Sequence, residues 1–224
     1  MRALFIFANF AVNFLPMNEF DIKAAGWDLN PMHIERSEAV AKQITERISL
    51  SRSMSCMEFG AGTGLTSFLL KEHLGEITMM DSSAEMVRIM KEKITATGIK
   101  KIEAFHFDLE KNFWKGKKFD LIISQMVLHH VADINDIMNK FYLILNPGGY
   151  LAIADLYPED GSFHGEGFSG HKGFNPDSLS VIISNLGFSE ITAKKCYTIK
   201  KKISDSDSRL FDIFLLIARH PPVK

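Results

Sequence analysis

The stretch Met57-Glu58-Phe59-Gly60-Ala61-Gly62-Thr63-Gly64 constrains this chain more than any other. A short run, Ser55 to Phe59, reads as a strand before it, and Leu65, Phe68, Leu69 and His73-Leu74 follow on one helical face. Strand, glycine turn and helix together make the geometry of a nucleotide-cofactor site. Gly60 and Gly62 supply backbone angles that a Cβ would forbid and let a ligand approach closely. The unpaired N–H groups opening the next helix would face that ligand. The spacing is GxGxG rather than the dinucleotide GxGxxG, and an acid, Glu58, stands just ahead of the first glycine.

With 224 residues, 46% of them hydrophobic, the chain is long enough to bury one sizeable core, and a single domain over 1–224 is the simplest organisation. A net charge of −1 provides no global field to recruit nucleic acid. Lys100-Lys101, Lys115 to Lys118 and Lys200 to Lys202 read as solvated loop and strand-edge charges. Cys56 and Cys196, both in strand-like runs, read as buried free thiols rather than as a disulfide or metal site.

Taken in order, Asn30-Pro31 is a capped helix start, and Ile34, Ala41, Ile44 and Ile48 follow at helical spacing. After the glycine turn, Glu76 to Met80 reads as a second strand ending at Asp81. Ser82-Ser83 caps a helix with Met86, Met90 and Ile94 inward, and Gly98 closes it. Ile102 to Phe107 is a third strand ending at Asp108, and Phe119 to Ser124 a fourth, suited to the middle of a parallel sheet. Asp133 caps a helix that Asn146-Pro147-Gly148-Gly149 stops, and Tyr150 to Ala154 is a fifth strand ending at Asp155. A glycine-rich loop runs from Leu156 to Phe174. Asn175-Pro176 opens the last helix, and Ile191 to Ile199 and Leu210 to Ala218 are spaced to pair as a hairpin. Alternating strands and helices imply a parallel sheet covered on both faces, with ligands bound beyond the carboxyl ends of its strands. Gly60, Asp81, Asp108, Gln125 and Asp155 all fall at such ends.

Asp81, 21 residues after Gly60, is placed to accept two ribose hydroxyl hydrogen bonds, worth roughly 1.5–3 kcal/mol for a charged acceptor. Asp108-Leu109 offers an acid and an apolar contact suited to an adenine amino group and ring face. In sequence order, EFGAGTG, MMDSSAEM, FHFDLE, FDLIISQMVLHHV and LNPGGYLAIADL resemble the successive motifs of the class I S-adenosylmethionine (SAM) methyltransferases, of the small-molecule, type 11/12-like kind. The resemblance extends over about residues 25–219. It implies a Rossmann-like α/β fold with a seven-stranded, mostly parallel sheet of order 3-2-1-4-5-7-6, strand 7 antiparallel. It also implies SAM as cofactor and S-adenosylhomocysteine as product. By the same resemblance, Glu58 and the turn Gly60, Ala61, Gly62, Thr63 and Gly64 would hold the methionine end. Asp81 would take the ribose, Ser82 and Met86 would border the adenosine, Asp108 and Leu109 would flank the adenine, and Gln125 and Met126 would line the sulfonium end. The DPPY-type tetrapeptide of nucleic-acid amino-methyltransferases is replaced by QMVLHH, which points away from base methylation.

The expected parts are an N-terminal extension (1–24), a front helix or lid (25–52), the cofactor core (53–155), an acceptor loop (156–174), and a last helix with its hairpin (175–219). Residues 1–16 loosely imitate a signal peptide, but Asn9 and Asn13 interrupt the run and no small-x-small cleavage site follows. They are also too few to span a bilayer. A secreted SAM enzyme would lack its cofactor, so a cytoplasmic protein is expected, with these residues forming an extra helix or strand, or with translation starting naturally at Met17.

Methyl transfer from a sulfonium is an in-line displacement, helped mainly by positioning and exclusion of water. A base is required only for a protonated acceptor. The candidates are His130, Asp155, His164 and His171, with His129 read as structural. The loop from Tyr157 to Phe174, with its three phenylalanines and several ionisable groups, is expected to wall the pocket of a small, partly apolar acceptor. No metal, nucleic acid or membrane partner is expected; His164, His171 and Glu166 are the one set with a remote metal-binding pattern. Two rivals are a non-catalytic SAM-binding partner or sensor, and an NAD-dependent oxidoreductase, which the glycine spacing disfavours.

Overall fold

The computed structural model describes residues 18–204 and 207–222; residues 1–16, expected to add a helix or strand, lie outside the described ones. Local signals set most helix starts. Asn30 caps α2 (Pro31–Arg47) by accepting from the N–H of Met32, Ser83 caps α4 (Ala84–Thr97) through Met86, Asp133 caps α5 (Ile134–Ile144) through Asp136, and Asn175 caps α6 (Pro176–Asn185) through Asp177 and Ser178. Three short elements go beyond the expected set: α1 (Glu19–Lys23), opened by a capping box between Asn18 and Asp21, and two 3₁₀ segments, Ala24–Leu29 and Leu128–His130. Helix α3 (Leu65–Leu70) differs from the rest, since it opens at Gly64 with no side-chain cap.

The strands are β1 (Ser55–Phe59), β2 (Glu76–Asp81), β3 (Ile102–His106), β4 (Phe119–Gln125), β5 (Leu145–Leu156), β6 (Ser189–Lys202) and β7 (Ser208–Arg219). They form one sheet of order β3-β2-β1-β4-β5-β7-β6, parallel except for β7, which runs antiparallel to β5 and β6. This is the expected topology. Alternation along β1 sends Cys56 to one face and Met57 to the other, and two apolar clusters result. One packs Val40 and Ile44 of α2, Leu70 of α3 and Met90 of α4 against the sheet; the other packs Met138 and Phe141 of α5 and Ile183 of α6. The edge strand β6 carries Lys194, Lys195 and Lys200 to Lys202, a placement that discourages edge-to-edge pairing. Both cysteines are free; Cys56 is buried as expected, whereas Cys196 is only partly buried.

The strand-5 expectation needs correction. β5 begins at Leu145, straight from α5, and pairs there with Phe119. Asn146 to Gly149 then leave the ladder, and pairing resumes at Leu121 and Tyr150. The excursion is held by Asn146, whose amide donates to Asp120, and by the N–H of Gly148 reaching the carbonyl of His220. The Asn-Pro-Gly-Gly run therefore ends the helix and bulges the strand. Among the described residues no helix is long and apolar enough to cross a membrane.

Phe141 sits fully buried at the centre of the second cluster, edge-on to Phe59 at 5.4 Å between ring centroids. Phe59 is the last residue before the glycine turn, so this contact fixes the height of the turn above the sheet. Phe141→Ala should cost about 3–5 kcal/mol, read as a shift in the urea midpoint. A loss under about 1 kcal/mol would show that the site collapses around the gap.

Candidate functional site

The carboxyl ends of β1, β2 and β4, the chain leaving β3 and the front segment Glu19–Ser37 enclose a cavity of about 640 Å³, within the range of small-ligand sites. It lies where the sheet order reverses, beside β1 and β4.

Its floor is the glycine turn. Gly60 has φ +64°, and a Cβ there would lie 2.5 Å from Val127, so both backbone angle and packing demand glycine. Gly62 is different: a Cβ there would meet nothing nearer than the Trp27 indole, at 3.7 Å, so it leaves room on the cavity side. The N–H groups of this turn are less free than expected. That of Gly62 donates to the Asp81 carboxylate at 2.8 Å, and that of Ala61 to the carbonyl of Met80.

Three acids surround the floor. Glu58 is 2% exposed and accepts from the N–H of Ser67 at 3.1 Å and its hydroxyl at 2.5 Å. Burial pushes its carboxyl up to about 7, against the opposing bonds from Ser67 and Thr66. Asp81 accepts from Gly62 and, at 2.8 Å, from the N–H of Ser83; burial raises its pKa despite these bonds. Asp108, at the exit of β3, accepts from the N–H groups of Glu110 and Lys111 and pairs with the Lys111 ammonium at 2.7 Å. Lys140 fixes that exit from below, donating to the carbonyls of Leu109 and Glu110 at 2.9 and 2.7 Å.

Gln125 spans two helices: its amide donates to Ser37 of α2 and its carbonyl accepts from Thr66 of α3, both at 2.9 Å. Met126 beyond it holds φ +57°, a left-handed conformation rare outside glycine, kept in place by its N–H bond to Ala154 at 2.7 Å.

The front segment crosses the cavity mouth. Trp27 packs on His33 (4.0 Å between centroids) and Phe20 on His130 (5.1 Å). Two acids tie it down: Asp21 accepts from the Ser83 hydroxyl at 2.6 Å, and Asp28 from Thr63 at 2.5 Å while pairing with Lys93. Arg36 reaches into the cavity from α2; it is 5% exposed, and burial lowers its pKa to about 10.

At the far end stand histidines. His129, on the 3₁₀ turn Leu128–His130, lines the cavity and turns its Nδ1 to the buried Asp155 at 2.7 Å, whose same oxygen accepts from the N–H of Leu156. His130 and His164 face the cavity, and Phe168 stacks on His164 at 3.8 Å. Burial, then the neighbouring His129, lowers both His130 and His164 to about 4. The loop carrying His164 is ordered by its own bonds: Glu159 accepts from the N–H groups of Gly161 and Phe163, and Phe163 is buried edge-on against Phe211.

Of the residues expected to hold a cofactor, Glu58, Gly60, Ala61, Gly62, Asp81, Ser82, Met86, Asp108, Leu109, Gln125 and Met126 line the cavity. Thr63 and Gly64 do not; Thr63 turns to Asp28 and Gly64 opens α3. Of the acid–base candidates, His130 and His164 line it. Asp155 is fully buried beneath His129, and His171 turns away, its Nε2 3.1 Å from the carbonyl of Val131. His171 is held there because its own N–H bonds the carbonyl of His129 at 2.8 Å.

Residues 57–153 match the family model described as a methyltransferase domain. An uncharacterized methyltransferase of Schizosaccharomyces pombe is 31% identical over 152 residues, covering 61% of this chain and 54% of that protein. Residues 57–153 are a methyltransferase domain, in the sheet topology of the class I SAM-dependent methyltransferases. A demethylmenaquinone methyltransferase of Listeria monocytogenes is 24% identical over 117 residues, 51% of this chain and 49% of that protein. The chain thus spans about half the length of these two curated relatives. Among solved structures, the N-methyltransferase NodS of Bradyrhizobium japonicum, in complex with S-adenosylhomocysteine, has the same fold, with TM-score 0.66 and 18% identity over 87% of this chain and 91% of that one. SAM is the family's cofactor.

The cavity is also lined by residues outside the expected cofactor and acid–base groups, among them Phe20, Arg36 and Lys201. Arg36 is detectable in the sequence, because Arg36, Val40 and Ile44 repeat at i, i+4 and i+8 and so place a charge on the buried stripe of α2. Phe20 and Lys201 come from opposite ends of the chain, and no local pattern marks them.

Glu58 gives the site a pH signature. With its pKa raised from 4.5 to about 7, it holds a proton more tightly in the folded than in the unfolded chain. Its stabilising contribution is therefore full below pH 4.5 and lost as pH rises through about 7. Urea unfolding without added cofactor should show the wild type losing more stability than Glu58→Gln between about pH 5 and about pH 8. Equal losses would mean that Glu58 ionises at its ordinary pKa.

Proposed function

We propose that the protein transfers the methyl group of SAM to the oxygen, nitrogen or sulfur of a small, partly apolar acceptor. The observation that carries this reading is one cavity with two chemically distinct ends: acids and a glycine turn at strand ends β1 to β3, and neutral imidazoles with aromatic rings opposite. In this reading the chain is one methyltransferase unit, with the cofactor core at 53–155, the front segment as lid, and 156–174 as the acceptor wall. A cytoplasmic setting and independence from nucleic acid follow from the need for SAM and the near-neutral charge.

SAM, when bound, supplies an electrophilic methyl group. Asp81 would accept from the ribose hydroxyls, Asp108 and Leu109 would flank the adenine, and Glu58 with the Gly60–Gly64 turn would hold the methionine end. Arg36, a buried cation with an unpartnered Nε, would face a carboxylate there. Gln125 and Met126 would set the sulfonium end. The acceptor would be held in line with that methyl group, and the surrounding residues would contribute position and exclusion of water. A group with pKa about 4 is a weak base at neutral pH, so His130 and His164 would orient the acceptor by accepting its hydrogen bond. Asp155 acts through His129. Similarity to a demethylmenaquinone methyltransferase and to an N-methyltransferase supports a small acceptor.

SAM and S-adenosylhomocysteine should bind at micromolar levels and raise the melting temperature, and NAD should not. Asp81→Ala should weaken S-adenosylhomocysteine about ten- to a hundredfold by calorimetry. Stabilisation by NAD alone would overturn the reading, and unchanged affinity in Asp81→Ala would leave that acid as a support of the turn only.

Trp27, His33 and Arg36 should become protected as the lid closes over ligand. Hydrogen exchange across residues 20–38 should slow on addition of S-adenosylhomocysteine. Exchange that is the same with and without it would leave the front segment as a fixed wall.

A further inference from the structure

Sequence spacing pairs His164 with His171, but the fold assembles a different set. His129, His130 and His164 each present one ring nitrogen, and these nitrogens all lie within 4.8 Å of one another. Two come from the turn after β4 and one from the loop after β5, so the cluster forms only on folding. His164 Nδ1 is buried with no hydrogen-bond partner, an arrangement folded proteins rarely leave uncompensated. The His129 ring is held by Asp155, an oxygen of which also accepts from Leu156. A carboxylate fixing one ring nitrogen leaves the other with its lone pair outward, as in carboxylate–histidine–metal arrangements. Phe168 and Phe163 pack on His164, and Phe20 on His130, which restricts these rings to the cluster.

We propose that His129, His130 and His164 bind one divalent transition-metal ion of the zinc type, with a coordination position left open to the cavity. Three imidazoles and an open position make the ligand pattern of catalytic rather than structural zinc sites. Nitrogen ligands favour zinc, cobalt or nickel over magnesium and calcium, which prefer oxygen. Ligand nitrogens about 2.0–2.1 Å from a tetrahedral ion sit roughly 3.3 Å apart, so the cluster closes further on binding. His130 and His164 are half-buried and have room for that adjustment. Charge around the cluster permits it: Lys23 is paired with Glu19 at 2.5 Å, the Lys201 ammonium donates to the carbonyl of Phe163, and Glu19 lines the same wall. Resting on the methyl-transfer reading, the open position would take the acceptor's nucleophilic atom, and His130 and His164 would then orient the acceptor through the ion rather than directly.

The test is metal titration of the untagged full chain after chelator treatment. Zn²⁺ followed by calorimetry and Co²⁺ followed by visible absorption should each bind at one equivalent, with Kd below about 10 μM. His130→Ala and His164→Ala should each weaken binding at least about tenfold, and Asp155→Asn about ten- to a hundredfold, whereas His171→Ala should not. Retained thermal stabilisation by S-adenosylhomocysteine shows that each variant is folded, and His164→Gln replaces any that is not. Absent stoichiometric binding, or binding that survives loss of both His130 and His164, overturns the metal site. The two titrations are separate: cofactor binding without metal binding defeats only this inference, and metal binding without cofactor binding defeats only the methyl-transfer reading.

Discussion

The structure depends on the Asp81 carboxylate. It ends β2, accepts from Gly62 on the neighbouring turn and from Ser83 at the start of α4, and so joins two loops. Ser83 in turn donates to Asp21, which places α1 across the cavity mouth. One strand-end acid thus fixes the glycine turn, the next helix and, through a serine, the front segment. The penalty is visible in its raised pKa: burial disfavours the charge that these bonds require.

The sheet offsets that penalty. Glu58 is buried and Asp81 half-buried on adjacent strands, Glu58 pushed up to about 7. Neither would stay placed on a flexible loop. Behind them, apolar clusters cover both sheet faces, with side chains such as Met57, Met79, Phe119 and Phe141 removed from water, each worth about 1.5–3 kcal/mol on burial. A core of this size therefore tolerates the buried acids, and their burial raises the strength of any hydrogen bond they make.

What the sequence made legible follows from the range of each signal. Asn30, Ser83, Asp133 and Asn175 act on their own next turn, so all four helix starts could be read. The short apolar runs of β1, β2 and β4, with Gly60, Asp81 and Gln125 at their ends, made those strands and much of the cavity floor readable, whereas the sheet order followed from the resemblance to the methyltransferase family. The misses are long-range. In sequence His171 is as good a candidate as His164, yet its N–H is taken by His129, 42 positions earlier, which turns the ring outward. Asp155 lies inside β5, one residue before its end, and its carboxylate is taken by His129, so it is fully buried. Thr63 lies inside the motif and still turns to Asp28, a partner that only the folded front segment provides.

The histidine pair shows how one turn serves two environments. His129 and His130 are neighbours on a 3₁₀ turn whose short pitch sends successive side chains in different directions. The first lines the cavity while turning its Nδ1 to the buried carboxylate of Asp155; the second packs against Phe20 and Phe168. Because Met126 ahead of them holds a left-handed backbone, the chain turns sharply off β4 rather than continuing past the cavity. The strained residue, the packed Gly60 against Val127 and the Asp155–His129 bond therefore form one continuous support. It fixes the distance between the glycine turn and the imidazoles, which is the dimension a group transfer across this cavity would require to be constant.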